Sequence, residues 1–214
     1  MKNLLYKEFR LSLMPINLLF LLSPLLVLIP GYPYAVSFIY LPIGLIQMFN
    51  LGRENNEIYY SALLPVRKNS FVKSRFLLVI GLQVADLLLT IPCLYLNGAL
   101  KIINYAGLEA NWALEGLGLI MFGLFNVIFL TMFYKTGVKS GIPFLLAFSI
   151  MLIVGESLDL VFSFVKPFPS LLDTTIFQIN WAQGAVFASG LLIYILLTLA
   201  SYLLSIQEAE KIEI

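Results

Sequence analysis

The sequence predicts an all-α membrane protein that forms a single transmembrane domain over residues 1–214. Hydrophobic residues make up 60% of the chain and charged residues only 12%, whereas charged residues are about a quarter of an ordinary soluble domain. The apolar residues form six long stretches, and eleven of the thirteen Lys and Arg residues lie in alternate segments outside them. Because short cytoplasmic loops retain Lys and Arg, we expect six transmembrane helices with both termini in the cytoplasm.

The six stretches have the length of membrane spans, because a transmembrane helix needs ~20 mainly apolar residues. The first two are the shortest, and a Gly-Tyr-Pro-Tyr sequence at 31–34 predicts a tight outer turn between them. In approximate bounds, the predicted spans are Pro15 to Pro30, Ala35 to Leu51, Phe76 to Leu96, Leu114 to Tyr134, Ile142 to Phe164 and Gly184 to Leu204.

A basic segment before the first apolar stretch is also how a secretory signal peptide begins. The run from Leu11 to Pro30 is long enough to span, however, and no small-residue cleavage site follows before Gly31. We therefore expect a retained first span rather than a cleaved signal.

Residues 2–14 have the pattern of a short basic amphipathic helix. Leu5, Phe9 and Leu13 recur every four residues, and Lys7 falls on the opposite side. Such a helix lies in the membrane interface with its basic side toward the headgroups. The alternative is that the segment is simply the cytoplasmic end of span 1.

The longest predicted cytoplasmic connection, residues 52–75, reads as two short helices with a bend. Pro65 ends the first helix, because proline removes a backbone donor and clashes with the preceding turn. The second helix begins there and carries basic residues toward span 3. A plain positive-inside loop is the alternative, but the apolar residues favour a docking surface. Its candidate residues are Ile58, Tyr59, Ala62, Leu63, Leu64, Pro65, Arg67 and Lys68.

The predicted outer connection 165–183 is too apolar for a free loop and too short and polar for another span. A re-entrant or interface-lying helix pair fits this composition. Phe168 and Trp181 would then lie at the headgroup level, where aromatic rings are favoured. Backbone turns at membrane depth must be covered by protein or water.

Asp86 is the first candidate for a polar site inside the membrane. It follows Arg75 by eleven residues, which places it ~16 Å along the helix, and an intramembrane charge is a functional candidate by default. Gln83 and Thr90 lie on the same helical face. This stripe either lines a substrate path or forms hydrogen bonds between helices, with Asn126 or Ser149 as partners.

Glu156 and Asp159 form a second candidate, because they share one face near the outer end of span 5 with Ser163. Two carboxylates at that depth need water, a cation or a shared proton. A water-filled vestibule and pairing with Lys101 or Lys166 are the two interpretations. Gln47, at the inner end of span 2, is a weaker candidate for the substrate path, because polar residues such as Gln47 and Asn50 are ordinary at the inner interface.

Several classes of function are excluded by composition. The chain has no His and a single Cys, at position 93, so we expect no metal site, no disulfide and no Ser/His or Cys/His catalytic arrangement. No phosphate-binding Gly-x-x-x-x-Gly-Lys-Ser/Thr loop is present, so the chain is not itself an ATPase of that kind. Assigning the basic residues to inner loops leaves no extended surface for nucleic acid.

Small residues recur at four-residue spacing in span 6, where Gly184 precedes Ala188 and Ala185 precedes Ser189. Such spacing lets membrane helices approach closely, although it is common in membrane helices generally.

Two features of the chain carry a family resemblance: the order of these parts, and one segment of the connection before span 3. The segment is Leu63-Leu64-Pro65-Val66-Arg67-Lys68-Asn69-Ser70-Phe71-Val72-Lys73-Ser74-Arg75, preceded by Glu54-Asn55-Asn56. In both features the chain resembles the permease subunits of ABC exporters of the second type. The likeness is to the small bacterial six-span subfamily. Within it, the chain resembles the membrane subunits of exporters of amphipathic peptide toxins such as phenol-soluble modulins.

The resemblance implies a mechanism and a set of partners. Two permease chains, identical or different, would pair, and two separate cytoplasmic ATPase subunits that bind ATP and Mg would dock beneath them. Residues 57–70 would be the coupling helix, and residues 2–14 the connecting helix beside it. An amphipathic peptide or lipid-like substrate would pass outward between the two permeases. The expected location is the bacterial cytoplasmic membrane.

Two other classes of function remain open from the residues alone. One is a membrane protein that does not transport, such as a scaffold, immunity or sensor subunit. The other is a secondary transporter that uses Asp86 or Glu156 for ions. Secondary transporters often show inverted repeats and helices broken at mid-membrane, and neither is recognisable in the sequence.

Overall fold

A computed structural model describes residues 6, 9–10, 15–55, 68–104, 107–137, 139–172, 174–178 and 180–211. In these ranges the chain is helical and contains no strand, which confirms the predicted all-α class. The helices are α1 (Pro15–Phe20), α2 (Ser37–Glu54), α3 (Lys68–Leu100), α4 (Trp112–Lys135), α5 (Gly141–Phe164), α6 (Phe168–Leu172) and α7 (Trp181–Glu210), with 3₁₀ turns at Ser23–Leu28 and Tyr34–Val36.

Five helices are long and apolar enough to cross a membrane: α2 with its leading 3₁₀ turn, α3, α4, α5 and α7. Spans 2 to 6 of the prediction correspond to them. The largest differences are in α3 and α7, which have 33 and 30 residues and extend well past the predicted bounds. Hydropathy identifies only the apolar part of a helix, so a prediction of spans leaves out the polar turns at the helix ends.

Predicted span 1 differs most from the expectation. Residues Pro15–Leu28 form a shorter apolar segment, in which an α-helix ends at Phe20 and a 3₁₀ helix begins at Ser23. Pro24 explains the break, because its ring clashes with the carbonyl four residues earlier. The crossing predicted from Pro15 to Pro30 is therefore a broken segment, and the count of six spans stays a prediction.

The broken segment packs antiparallel to α2. The side chain of Asn17 donates a hydrogen bond to the Gly44 carbonyl at 2.6 Å, and Gly44 is ten residues, or ~15 Å, from Tyr34 along α2. The described part of the segment thus reaches about the middle of the bundle. Its other end meets α3, because Asn97 donates to the Val27 carbonyl at 2.7 Å.

The two ends of the bundle differ in character. One end, here called the loop end, carries the turn at 29–33 and the connections 101–111 and 165–180. The opposite end, here called the basic end, carries five of the exposed basic residues that the structure describes: Arg53, Lys73, Lys135, Lys139 and Lys211. The described basic residues of the loop end are Lys101 and Lys166, both exposed.

Helices α4 and α7 approach each other closely where two glycines meet. A Cβ placed on Gly190 would collide with the backbone of Gly116, and a Cβ on Gly116 would lie 2.6 Å from the Val186 carbonyl oxygen. The small pairs predicted to allow close approach in span 6 do not do so within the chain. Gly184 has open space around it, and Ala185, Ala188 and Ser189 are exposed.

The connection between α5 and α7 contains the short helix α6. Leu172 and Ile176 are 1% exposed, whereas Phe177 is 59% and Trp181 is 74% exposed. Asn111 fastens the connection to α4 by donating hydrogen bonds to the carbonyls of Leu172 and Thr174, at 2.7 and 3.0 Å. The segment is therefore covered on one side and apolar on the other, while its placement at the membrane interface stays a prediction.

Candidate functional site

A layer of hydrogen-bonded polar side chains crosses the middle of the bundle. Gln83 on α3 and Asn126 on α4 exchange two hydrogen bonds of 2.8 and 2.9 Å, and both are fully buried. From α7, Tyr194 donates to the Gln83 amide oxygen at 2.9 Å, and Thr198 accepts from the Asn126 amide at 3.1 Å. Of the two interpretations of the polar stripe, hydrogen bonding between helices is therefore observed for Gln83, with Asn126 as its partner. Ser149, the other partner considered, is exposed.

This layer lies where α4 changes its helical pattern. Residues Asn126–Leu130 form a π-helical turn, a rare feature that is often found at functional sites. Such a turn displaces backbone hydrogen bonds, and lipid offers no replacement. Ser201 of α7 supplies one, because its hydroxyl donates to the Asn126 carbonyl at 2.7 Å. Nothing in the sequence had indicated the π turn.

Asp86 faces the broken first segment. It is fully buried, and its Oδ1 accepts a hydrogen bond from the Ser23 hydroxyl at 3.2 Å. Its Oδ2 has no hydrogen-bond partner among the described residues. Thr90, predicted on the same stripe, donates to the Asp86 backbone carbonyl at 2.9 Å. Asp86 is thus closed off from the surface of the chain, and a role for it in the substrate path stays a prediction.

Sequence reasoning missed a second buried carboxyl, that of Glu115. It lies in the first turn of α4, is 2% exposed, and has an Oε1 with no hydrogen-bond partner in the described part of the chain. It is close enough to Asp86 for the two to interact electrostatically. The sequence contained a signal for it, because Glu115 is a charged residue inside predicted span 4, at its second position.

The carboxyls of α5 are covered by the connection between α3 and α4. Asp159 is 2% exposed and accepts a hydrogen bond from the Leu108 N–H at 2.9 Å. Gly107 passes directly over this carboxyl, where a Cβ would collide with it. Glu156, three residues earlier, is half-buried, and its Oε1 has no hydrogen-bond partner among the described residues.

Neither carboxyl forms an ion pair with an exposed lysine of the loop end, within the ranges that the structure describes. The interpretation based on Lys101 and Lys166 therefore finds no support in the described contacts. A backbone N–H holds Asp159 instead. The vestibule interpretation stays a prediction, and so does a part in the substrate path for Glu156 and Asp159.

The turn between the first segment and α2 lies beside Glu156. The hydroxyls of Tyr32 and Tyr40 are 3.1 Å apart and share a hydrogen bond. Burial, then this hydrogen bond, raises the pKa of Tyr32, and the Glu156 charge adds to the rise. The Tyr32 hydroxyl thus stays protonated at neutral pH and remains a hydrogen-bond donor.

At the basic end, one predicted loop charge proves to be packed inside. Arg75 is 2% exposed, and its guanidinium lies 5.2 Å from the Phe49 ring centre and 5.8 Å from that of Phe71. Such contacts between a cation and an aromatic face are favourable, and more so when water is excluded. Arg75 therefore anchors α3 to α2 rather than contributing to an exposed basic surface.

The predicted docking surface lies mostly outside the described residues. Residues 56–67 are not described, and Lys68 begins α3 without a described side chain. Most of the predicted helix at 2–14 is likewise outside the described residues, and Tyr6, Phe9 and Arg10 are exposed. Gln47 is half-buried on α2, and Asn50 accepts a hydrogen bond from Ser140.

A sequence profile described as ABC-2 family transporter protein matches residues 3–209. The chain belongs to this family. No curated protein and no solved structure shows significant similarity to the chain. The match extends over both ends of the bundle and all five long helices.

The ABC-2 chain is therefore the permease subunit of an ABC transporter, a multi-pass membrane protein that associates with an ABC ATPase subunit. It is a transport component and not the catalytic one. In the part of the chain that the structure describes, no group of three His, Cys, Asp or Glu side chains is arranged to hold a metal ion.

Proposed function

We propose that this permease works in a bacterial exporter that moves an amphipathic peptide or lipid-like substrate outward across the cytoplasmic membrane. Two permease chains, identical or different, form the path, and two cytoplasmic ATPase subunits supply the energy from ATP and Mg. The observation that carries this proposal is the family match over residues 3–209, together with the chain's own lack of a phosphate-binding loop.

The distribution of charge supports a cytoplasmic basic end. Five exposed basic residues lie there, against two at the loop end among the described residues. Lys and Arg are retained on the cytoplasmic side of short loops, so the loop end faces outward. This orientation brings residues 56–67, which connect α2 to α3, to the side where ATP is available.

Residues 57–70 are proposed as the coupling segment. Its apolar residues Leu63 and Leu64 would fill a cleft on the ATPase, and Arg67 would add a charged contact at the rim. The neighbouring ends of α2 and α3 suit this role, because Arg53 and Lys73 are exposed. Movement of the segment would be transmitted directly to α3, whose 33 residues form one continuous helix.

The substrate path is proposed to lie along the least covered helices. In the most apolar 18-residue stretch of α5 and of α7, only 22% of the residues are buried within the chain, against 67% in α4. These faces are open to a second permease chain and to an amphipathic substrate. Glu156 is half-buried near the outer end of α5, so it is the candidate closest to this path. Asp86, Gln83 and Asp159 are buried inside the chain, and Gln47 is half-buried on α2.

The experiment purifies the permease from its own membrane together with any ABC ATPase subunit bound to it, and reconstitutes the complex in proteoliposomes. We expect the two proteins to copurify, and we expect amphipathic helical peptides or lysolipids to raise the rate of ATP hydrolysis in proteoliposomes. A Leu63→Ser/Leu64→Ser variant should neither copurify with the ATPase nor show stimulated ATP hydrolysis. Leu88→Ser, at an exposed position of α3 outside the proposed path, is the matched control. A permease that copurifies with no ATPase, or that moves an ion without ATP, would contradict the proposal.

A further inference from the structure

A cleft of about 440 Å³ opens at the loop end, beside the end of α3. Its lining combines one lysine, one glutamate, hydroxyl and amide groups, and apolar side chains; among them are Asn97, Lys101, Ile103, Glu109, Thr175 and Phe177. The volume is within the range of about 300–1,000 Å³ that small-molecule sites have. A mixed lining of this kind suits a ligand that carries both charges and an apolar part.

Lys101 occupies a backbone position that favours glycine. Its φ is 53°, and it ends α3 with the hydrogen bonds Lys101 N–H to the Gly98 carbonyl and Ile102 N–H to the Asn97 carbonyl, at 3.3 and 3.2 Å. This is a Schellman cap, in which glycine is the usual residue. A lysine there costs about 1 kcal/mol relative to glycine. The strain indicates that the lysine side chain has a use at this position.

The cleft contains an opposite charge that is held in place. Glu109 lines it, and its carboxylate accepts a hydrogen bond from the Asn104 N–H at 3.3 Å. Lys101 is exposed and makes no ion pair with any residue that the structure describes. One cationic and one anionic group are thus presented around the same space, which disfavours a purely anionic or purely cationic ligand.

The position of the cleft places it at the edge of the apolar layer. Lys101 directly follows the membrane-crossing helix α3. Below it, Leu96 and Leu100 are 50% and 66% exposed, and Phe177 beside the cleft is 59% exposed. Gly98 forms part of the cleft wall, and any larger residue there would meet Phe177 and Ile176. Acyl chains fit along this exposed apolar flank, with a headgroup in the cleft.

We propose that this cleft binds the headgroup of a zwitterionic phospholipid with a primary amine, such as phosphatidylethanolamine. The lysine at 101 binds the phosphate through a charge-assisted hydrogen bond, and the carboxylate of Glu109 binds the ammonium. The acyl chains lie along Leu96 and Leu100. The permease thereby holds a specific lipid at the outer end of α3, beside the connections that cover the loop end.

The test uses the intact permease in nanodiscs, with bound lipid counted by native mass spectrometry after mild delipidation. Discs contain phosphatidylethanolamine mixed equally with either phosphatidylcholine or phosphatidylglycerol. Lys101→Gly and Glu109→Gln are compared with Lys166→Gln, which removes the other described lysine of the loop end. We expect Lys101→Gly to retain roughly tenfold less phosphatidylethanolamine, the effect of losing one charge-assisted hydrogen bond. Lys166→Gln should retain as much as the unmodified protein.

The glycine variant also separates binding from folding, because glycine suits the cap. Its thermal midpoint should stay the same or rise while lipid retention falls. Retention of phosphatidylethanolamine by both Lys101→Gly and Glu109→Gln would overturn the proposal. So would equal retention of phosphatidylglycerol and phosphatidylethanolamine by the unmodified protein. Soluble glycerophosphoethanolamine should compete only weakly; competition as strong as that of the lipid would assign the cleft to a free small molecule instead.

Discussion

Gly190→Ala should lower the stability of the folded permease by about 2–3 kcal/mol, the cost of overpacking a tightly packed contact. The added methyl group would collide with the backbone of Gly116 on α4. Backbone cannot rotate away as a side chain can, so α4 and α7 must separate. Alanine favours a helix over glycine by about 1 kcal/mol, but this gain is smaller than the cost of separating the helices.

Gly184→Ala on the same helix is the matched control, because nothing lies within 4 Å of a Cβ there. It gains the helix preference without a clash and should leave stability unchanged or slightly higher. Thermal unfolding in one detergent, followed by size-exclusion fluorescence, compares the two variants. Equal midpoints for Gly190→Ala and Gly184→Ala would show that α4 and α7 do not cross at the two glycines.

Asn126→Ala should lower stability by about 2 kcal/mol, from three lost hydrogen bonds of modest individual strength. Two of these bonds join Asn126 to Gln83, and the third joins it to Thr198. Removing Asn126 leaves the Gln83 amide N–H buried without that partner, which costs more than removing both partners together. Unfolding by SDS titration in mixed micelles measures the loss.

A double-mutant cycle with Gln83→Ala identifies the contact. The double variant should be more stable than the sum of the single losses predicts, by about 1 kcal/mol. Ser149→Ala, at the exposed alternative position on α5, should have no effect. A cycle that shows no coupling between positions 83 and 126 would show that the Gln83 and Asn126 side chains do not interact in the folded protein.

The long helices were predictable because lipid sets their length. Span 5 was expected from Ile142 to Phe164 and is Gly141–Phe164. A hydrogen bond between polar side chains in the middle of the bundle was predictable too. Gln83 and Asn126 are polar residues inside predicted spans, where they must find partners. The break in the first segment was recognisable at Pro24, although the hydropathy pattern alone indicated one span.

The pairing of particular residues between helices was not predictable from one sequence. Four-residue spacing selected Gly184 and Ala188, whereas the close contact uses Gly190 and Gly116. Which face of a helix meets a neighbour depends on rotation and register, and apolar spacing in a membrane helix does not reveal either. For the same reason the bond from Ser23 to Asp86 had no signature in the sequence.

Thiol labelling of intact cells tests most directly the claim that the connection between α2 and α3 lies in the cytosol, where an ATPase can reach it. The only cysteine, Cys93, is buried, so Cys93→Ser gives a clean background. In it, Arg67→Cys should react with a membrane-impermeant maleimide only after the membrane is opened, whereas Lys166→Cys at the loop end should react at once. Labelling of Arg67→Cys on unbroken cells would contradict the account.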